Sequence, residues 1–344
     1  MKAYVKTKRE YGALELLEIP RPEPKADQVL IKIQASAICG SDLHAYEYPP
    51  GYEFMNIPVT LGHEYAGIVE AIGAEVTLFQ VGDRVMGESN QYCSACGNCH
   101  EGRTNICDNN KMTGLHIDGA MAEYIIAPEK MVHFIPKGVS FAEAALAQPC
   151  AVSFHGVFDQ SDIRPGDSVV VFGPGIVGLM AAKGAQLMGA SCVFVVGTEV
   201  DAAVRLPIAQ KMGFVAINAE KENSAEIIRS YLGKDKVDVA IECSGSAVAC
   251  KAAIELIRKG GSMTLLGIYS KPSELFLTPL IRQEIQLKTS YTCGWKNYEQ
   301  ALHLVASGQV DLQPLMACYP FDEGLSAIQD GLDKKVLKPI LIVE

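Results

Sequence analysis

The sequence predicts an α/β fold in two parts, one rich in β-strands and one built on a doubly wound parallel sheet. Three observations carry this. Residues 1–150 contain strand-like stretches punctuated by glycine and proline. From about Ser168, short apolar strands alternate with helical patterns, as in a parallel sheet covered on both faces. A G-x-G-x-x-G run follows the first of those strands and opens a helix. The length, 344 residues, suits two domains of ordinary size.

The elements follow in chain order. Residues 1–20 alternate like an edge strand. Val29–Gln34, Tyr65–Ile72 and Arg84–Gly87 read as strands. SVVVFG from Ser168 is a strand, GIVGLMAAKGAQLMGA a helix with an apolar stripe, and CVFVVG the next strand. VDVAIECSG and GSMTLLGIY are further strands with helical patterns between them. Ile285–Thr289 is a short strand, Asn297–Ser307 an amphipathic helix, and the rest a strand-rich tail. Internal repeats and low-complexity segments are absent from the sequence.

Composition narrows the function. Hydrophobic residues are 49% and charged residues 20%, a globular balance with material for two cores. The net charge is −10 and no basic-aromatic stripe occurs, which argues against a nucleic-acid partner and against anionic membranes. The first twenty residues lack the apolar core and small-residue cleavage site of a signal peptide. Apolar runs stop near ten residues, and a membrane span needs about 20. The expectation is a cytosolic protein, where clustered cysteines serve metal or redox chemistry rather than disulfides.

Gly173, Gly175 and Gly178 form the glycine run. The first permits a tight turn, the second lets backbone approach a pyrophosphate, and the third lets helix pack on strand. Phosphates then meet the free N–H groups of Ile176 and Val177 at the positive helix end. The second strand ends at Val195-Val196-Gly197-Thr198. An NAD-preferring site places an acid near here for the ribose 2′-hydroxyl, and Gly197 occupies that position. Thr198 and Arg205 are in place for a 2′-phosphate, while Glu199 favours NAD. The expected cofactor is NAD(P), with measurable use of NADP.

Four of the 11 cysteines, Cys93, Cys96, Cys99 and Cys107, fall in CSACGNCHEGRTNIC with spacing C-x2-C-x2-C-x7-C. Four thiolates suit a closed tetrahedral zinc, iron–sulfur clusters use related spacings, and a redox pair wants C-x-x-C at a helix start. The stretch reads as a loop in the β-rich part. Elsewhere, ICGSDLH supplies Cys39, Ser41, Asp42 and His44, also in a loop, and GHEYAGIVEAIG supplies His63 and Glu64. A zinc that does chemistry keeps three protein ligands and an open position.

GHEYAGIVEAIG matches the G-H-E-x-x-G-x5-G signature of the zinc-containing medium-chain alcohol dehydrogenases. The chain resembles that family throughout: ICGSDLH, GHE, the four-cysteine lobe, a Gln-Pro segment and G-x-G-x-x-G come in family order. It looks most like the polyol, sugar and threonine dehydrogenase branch, which includes sorbitol and sugar-alcohol-phosphate dehydrogenases. The resemblance implies a GroES-like catalytic domain, residues 1–150 and 290–344, and a Rossmann domain, residues 151–289. It implies two zinc ions per chain. Cys93, Cys96, Cys99 and Cys107, in a lobe at about 90–110, would hold the structural one. Cys39 and His63 would hold the catalytic one, with Glu64 binding it directly or through its water and Asp42 orienting His63. Ser41 would take the alcohol proton and His44 would carry it outward.

The fourth position departs from the branch. Polyol dehydrogenases carry Glu-Pro there, simpler alcohol dehydrogenases a cysteine, and some microbial glucose dehydrogenases a glutamine; this chain has Gln148-Pro149. A neutral amide oxygen leaves more positive charge on a metal than a carboxylate does. Cys150 competes as a ligand but reads as a buried packing thiol. By family position, Cys243, Ser244, Gly245, Leu266, Gly267 and Ile268 flank the nicotinamide. Tyr46, His116, Thr292, Cys293 and Trp295 line the substrate side. Sorbitol dehydrogenase has Arg-Tyr where this chain has Thr292-Cys293, which argues against sorbitol and removes an arginine clamp for phosphate. The expected substrate is a polyol or sugar with vicinal hydroxyls, oxidised by hydride transfer to NAD(P). L-Threonine is the alternative within the family, and a sugar-alcohol phosphate remains in the same class. A zinc-free reductase of the superfamily conflicts with the zinc ligands. A non-catalytic NADPH-binding protein conflicts with Ser41 and His44. The resemblance also implies a homo-oligomer, a tetramer or dimer.

Overall fold

A computed structural model describes residues 1–343. The chain divides into two compact units. One holds residues 1–148 and 293 onward, and the other residues 149–292. The first boundary falls inside the helix Phe141–Phe154, at Pro149, which has no N–H to give to a helical hydrogen bond.

The first unit is built on a seven-stranded sheet among the described residues. Its path runs Val132–Phe134, Arg84–Gly87, Glu64–Ile72, Gln28–Ala37, Lys338–Ile342, Met316–Pro320, with Tyr124–Pro128 paired to Gln28–Ala37 off that path. Pairing is antiparallel except between Met316–Pro320 and Lys338–Ile342. Gln28–Ala37 is central because Val29, Ile31 and Ile33 put β-branched side chains on one buried face. They pack with Tyr4, Leu61, Tyr65, Val85 and Leu341. Each such side chain contributes about 1.5–3 kcal/mol when fully buried. The sheet thereby fixes Glu64 at the start of one strand and Lys338 at the start of another.

Two elements differ from the sequence reading. Residues 40–47, read as a loop, form the helix Gly40–Glu47. The tail, read as strands, also contains the helix Gly324–Leu332. Within the cysteine lobe, Gly97–His100 makes one helical turn capped by Cys96. Among the described residues no helix is long and apolar enough to cross a membrane.

The second unit carries a six-stranded parallel sheet ordered Val215–Asn218, Cys192–Gly197, Ser168–Phe172, Val237–Glu242, Ile257–Leu265, Gln286–Thr289. Numbered within the unit this is 3-2-1-4-5-6, the Rossmann order. The order reverses between Ser168–Phe172 and Val237–Glu242. Ligands of such sheets bind beyond the strand ends at that reversal.

Candidate active site

Cys39 is the N-cap of the helix Gly40–Glu47 and has extended backbone. Its N–H donates to Asp42 Oδ2 at 2.9 Å. Asp42 Oδ1 accepts from Gly62 N–H at 3.1 Å and lies 3.6 Å from His63 Nδ1. The last distance is a charge contact rather than a hydrogen bond, and it leaves His63 Nδ1 without a partner. Asp42, fully buried, thus fastens the helix that carries Cys39 to the segment that carries His63. Serine fits at position 41 because its hydroxyl sits 3.4 Å from His63 Nε2.

The ligand atoms of Cys39, His63 and Glu64 lie within 4.8 Å of one another. Burial opposes a charge on His63, but the Asp42 carboxylate and the Cys39 thiol outweigh it and raise the imidazole well above its ordinary pKa. Burial likewise opposes ionisation of Asp42, and His63 outweighs it. A soft thiol, an imidazole backed by a carboxylate, and a carboxylate form a donor set suited to zinc.

Glu64 has a partner that the sequence reading missed. Lys338 Nζ donates to Glu64 Oε1 at 2.7 Å, and both side chains are buried. Oε2 is 2.6 Å from the same nitrogen but outside hydrogen-bonding geometry, so that contact is ionic. The signal was a lysine inside the apolar stretch Val336-Leu337-Lys338-Pro339-Ile340.

Gln148 is buried and donates through Nε2 to Ser89 Oγ at 3.1 Å. Ser89 Oγ is in turn 3.2 Å from Tyr298 Oη. With its nitrogen so committed, the amide oxygen is the end of Gln148 left for a metal. Cys150 is fully buried. His44 is largely exposed, with Nδ1 3.3 Å from Glu47. Tyr46 packs edge-on against Tyr11, and half-exposed Trp295 lies against His133. Thr292 takes a left-handed φ of 46° and closes the second unit, while buried Cys293 belongs to the first.

In the four-cysteine lobe, Cys107 Sγ stands 3.5 Å from Cys93 Sγ and 3.9 Å from Cys96 Sγ. A disulfide needs about 2.05 Å. Thiolates at about 2.3 Å from a tetrahedral zinc stand about 3.8 Å apart, so this spacing fits the metal. The Ala95 N–H, ahead of the other donors, holds the Cys93 thiol down at about 6. Desolvation and the neighbouring thiols push Cys99 up to about 12. Four thiols this close ionise together only around a cation.

In the second unit, Gly173 has φ +96° at the end of Ser168–Phe172 and abuts Ser244. Gly175 caps the helix Ile176–Leu187. A Cβ on Gly178 would lie 1.9 Å from the Gly173 carbonyl, whereas one on Gly175 would meet nothing within 4 Å. The middle glycine therefore faces open space beside Ile176 and Val177 at the helix start, which is the space a pyrophosphate needs. Glu242, unremarked in the sequence reading, is fully buried at the end of its strand. Its carboxylate accepts from Ser244 N–H at 2.7 Å, Gly245 N–H at 3.1 Å and Tyr269 Oη at 2.8 Å. A Cβ on Gly267 would lie 2.6 Å from it. Glu242 thus ties the Cys243–Gly245 turn to the Leu266–Ile268 turn.

At the second strand end, a Cβ on Gly197 would lie 2.8 Å from Pro174. Thr198 donates to Asp201 at 3.2 Å, and Arg205 pairs with Asp201 at 3.2 Å. Glu199 pairs with Lys221 at 2.7 Å.

Comparison with known proteins gives the family. Residues 25–137 match the alcohol dehydrogenase GroES-like domain, and residues 177–307 match the zinc-binding dehydrogenase domain. The chain is 36% identical to sorbitol dehydrogenase of Halalkalibacterium halodurans, over 98% of each chain. It is 32% identical to D-arabitol-phosphate dehydrogenase of Enterococcus avium, over 98% of this chain and 97% of that one. The alcohol dehydrogenase TADH of Thermus sp. ATN1 superposes with a TM-score of 0.91 at 29% identity, over 100% of both chains. A GroES-like unit with a metal-ligand set and a Rossmann unit with a dinucleotide turn define an oxidoreductase that works with zinc and NAD(P). The chain belongs to the zinc-dependent alcohol dehydrogenase family.

Proposed function

We propose that the chain oxidises, reversibly, a secondary alcohol of a polyol or sugar, with Cys39, His63, Glu64 and the Gln148 amide oxygen as zinc ligands. The observation that carries this is the meeting of Cys39, His63 and Glu64 with Ser41 beside His63 Nε2. When bound, zinc supplies Lewis acidity that favours loss of the hydroxyl proton, and NAD(P) supplies the hydride acceptor. The chain's residues do the rest. Asp42 fixes the helix so that Cys39 and His63 face one point. Ser41 accepts the hydroxyl proton, and His44, exposed beyond it, passes a proton to solvent. The carbinol carbon gives up a hydride and becomes a carbonyl, so one alcohol and one oxidised cofactor yield a ketone, a reduced cofactor and a proton. Glu242 keeps the turns at Cys243–Gly245 and Leu266–Ile268 in register beside the nicotinamide. Cys93, Cys96, Cys99 and Cys107 hold a second zinc with no open position, so it takes no part in the chemistry. Among the described residues the eleven cysteines form no disulfide, which supports a cytosolic setting.

NADP is used as well as NAD in this reading. Pro174 leaves no room for an acid at Gly197, and Lys221 neutralises Glu199, the nearest exposed acid. Two measurements test the proposal. Metal analysis gives two zinc per chain. Initial rates over pentitols, hexitols, their phosphates, L-threonine and butan-2-ol, with each cofactor, show turnover of polyols. No turnover of any secondary alcohol by zinc-loaded protein sinks the proposal, and undetectable NADP turnover sinks its cofactor half.

A further inference from the structure

An amide side chain has two unlike ends. Its oxygen has lone pairs for a cation, and its NH2 offers only protons. The last torsion of a glutamine is broad and nearly two-fold, so rotamer preference does not choose between them. A partner must choose. For Gln148 that partner is Ser89, whose hydroxyl accepts from Nε2 at 3.1 Å. Both side chains are buried in the first unit. Among the described residues no donor meets the Gln148 oxygen, which keeps a small opening to solvent.

Ser89 is itself fixed at every polar group. Its N–H donates to Tyr298 Oη at 3.1 Å, and its carbonyl accepts from Thr113 N–H at 3.0 Å. Its hydroxyl lies 3.2 Å from Tyr298 Oη. Tyr298, 1% exposed, also hydrogen-bonds the buried Cys293 sulfur. A thiol is a weak donor, so the phenol proton goes to sulfur and Oη is left to accept. Ser89 then gives its proton to Tyr298 and keeps its lone pairs for the amide NH2. The four groups make one chain of a single sense, from Gln148 Nε2–H through Ser89 Oγ–H and Tyr298 Oη–H to Cys293 Sγ. The reverse sense would start on the weakest donor of the four.

A second contact set holds the same two segments together. The Tyr298 ring stacks on His133, with centroids 5.2 Å apart and planes 24° apart. His133 lies 2.6 Å from Glu299, the residue after Tyr298, and 3.1 Å from Glu88, the residue before Ser89. The ion pairs therefore clamp the two segments that the hydroxyl chain joins.

We infer that Ser89 and Tyr298 are positioning residues that leave the amide oxygen of Gln148, and not its NH2, free for the zinc proposed at Cys39, His63 and Glu64. The inference rests on the proposed ligand role of Gln148 and deepens it by naming what selects the ligating end.

The test measures zinc affinity at the Cys39 site by chelator competition, on the full chain, for Ser89→Ala in two backgrounds. Either oxygen of a carboxylate can face a metal, so the Gln148→Glu side chain has no wrong end. With Gln148 in place, Ser89→Ala should weaken zinc binding about tenfold or more, as loss of a residue that orients a metal ligand does. In the Gln148→Glu background the same change should cost less than about threefold. Tyr298→Phe keeps the ring on His133 and removes only the acceptor, and it should show the same dependence on background with a smaller loss. Equal losses in both backgrounds would mean that the two residues act by packing, and would overturn the inference. Unchanged affinity in Ser89→Ala beside a loss in Gln148→Ala would overturn it too, and would leave Gln148 a ligand that needs no guide. Unchanged affinity in Gln148→Ala would remove Gln148 from the ligand set and the inference with it. The background dependence without turnover of any secondary alcohol would support the positioning and defeat the proposed reaction.

Discussion

Asp42 has two carboxylate oxygens, and each is committed to a segment that carries a member of the group of Cys39, His63 and Glu64 that could hold a metal. Oδ2 takes the Cys39 N–H, and Oδ1 takes the Gly62 N–H beside His63. Asp42→Asn keeps the size but turns one oxygen into an NH2 that must face one of those N–H donors, and it removes the charge behind His63. Partners of this kind change metal affinity about 10–100-fold. The expected result is a matching loss of zinc at the Cys39 site in competition with a chelator, while the four-cysteine zinc stays. Equal retention of both zinc ions in the variant would show that Asp42 serves the helix alone. The motif ICGSDLH made Cys39, Ser41, Asp42 and His44 legible because they are packed into six positions. Lys338 was not legible as Glu64's partner, since 274 residues separate them and only the sheet brings them together. Glu242 was legible in principle, as an acid ending an apolar strand, but its acceptor contacts depend on how two turns close over it.

At the scale of elements, the helix Trp295–Ala306 is anchored by an ion-pair cluster that no motif announces. His133, buried on the strand Val132–Phe134, lies 3.1 Å from Glu88 and 2.6 Å from Glu299 of that helix. It also stacks on Tyr298, ring centroids 5.2 Å apart. Burial works against a charge on His133, and the hydrogen bonds to Glu299 and Glu88 outweigh it, so its pKa is raised. Burial raises the pKa of Glu88, whose side chain is nearly as enclosed. A histidine with a raised folded pKa stabilises most below its unfolded value near about 6.5, and that increment fades as pH climbs through the folded value. His133→Asn should therefore lower Tm more at pH 6 than at pH 9; an equal loss at both would mean that His133 acts by packing alone. The strands of both sheets were legible because their alternation or apolar runs are local signals. The helix Gly40–Glu47 was not, since Gly40-Ser41-Asp42 favours turns and little of the segment is apolar. It forms because the Asp42 side chain accepts the N–H of the N-cap Cys39 and because Lys6, buried, donates to the carbonyl of Tyr46 at its far end. The helix Gly324–Leu332 was hidden by its glycines at both ends, and it is held by Ala327 and Ile328 in the core.

Across the whole molecule, the two zinc-fitting groups divide labour in a way that single substitutions can separate. Cys107 lies three residues before Asn110, and the Asn110 N–H donates to the Cys107 carbonyl at 3.2 Å. The lobe thereby holds the chain up to Asn110 in place, and in the proposed reading its thiols stay apart from the reacting atoms. Cys39, by contrast, belongs to the group of Cys39, His63 and Glu64 proposed to hold the catalytic zinc. Cys107→Ser and Cys39→Ser should each leave one zinc per chain. Cys107→Ser opens a tetrathiolate site that ties residues 93, 96, 99 and 107 together, so Tm should fall by about 4 °C or more, equivalent to roughly 2 kcal/mol in a domain of this size. Its turnover of secondary alcohols should persist in the folded fraction. Cys39→Ser should keep Tm within about 2 °C and lose turnover of every alcohol. Zinc content by atomic absorption, Tm by scanning calorimetry and turnover per folded protein decide between them. Loss of all turnover in Cys107→Ser at a temperature where the protein remains folded would place the lobe in the chemistry and overturn the division.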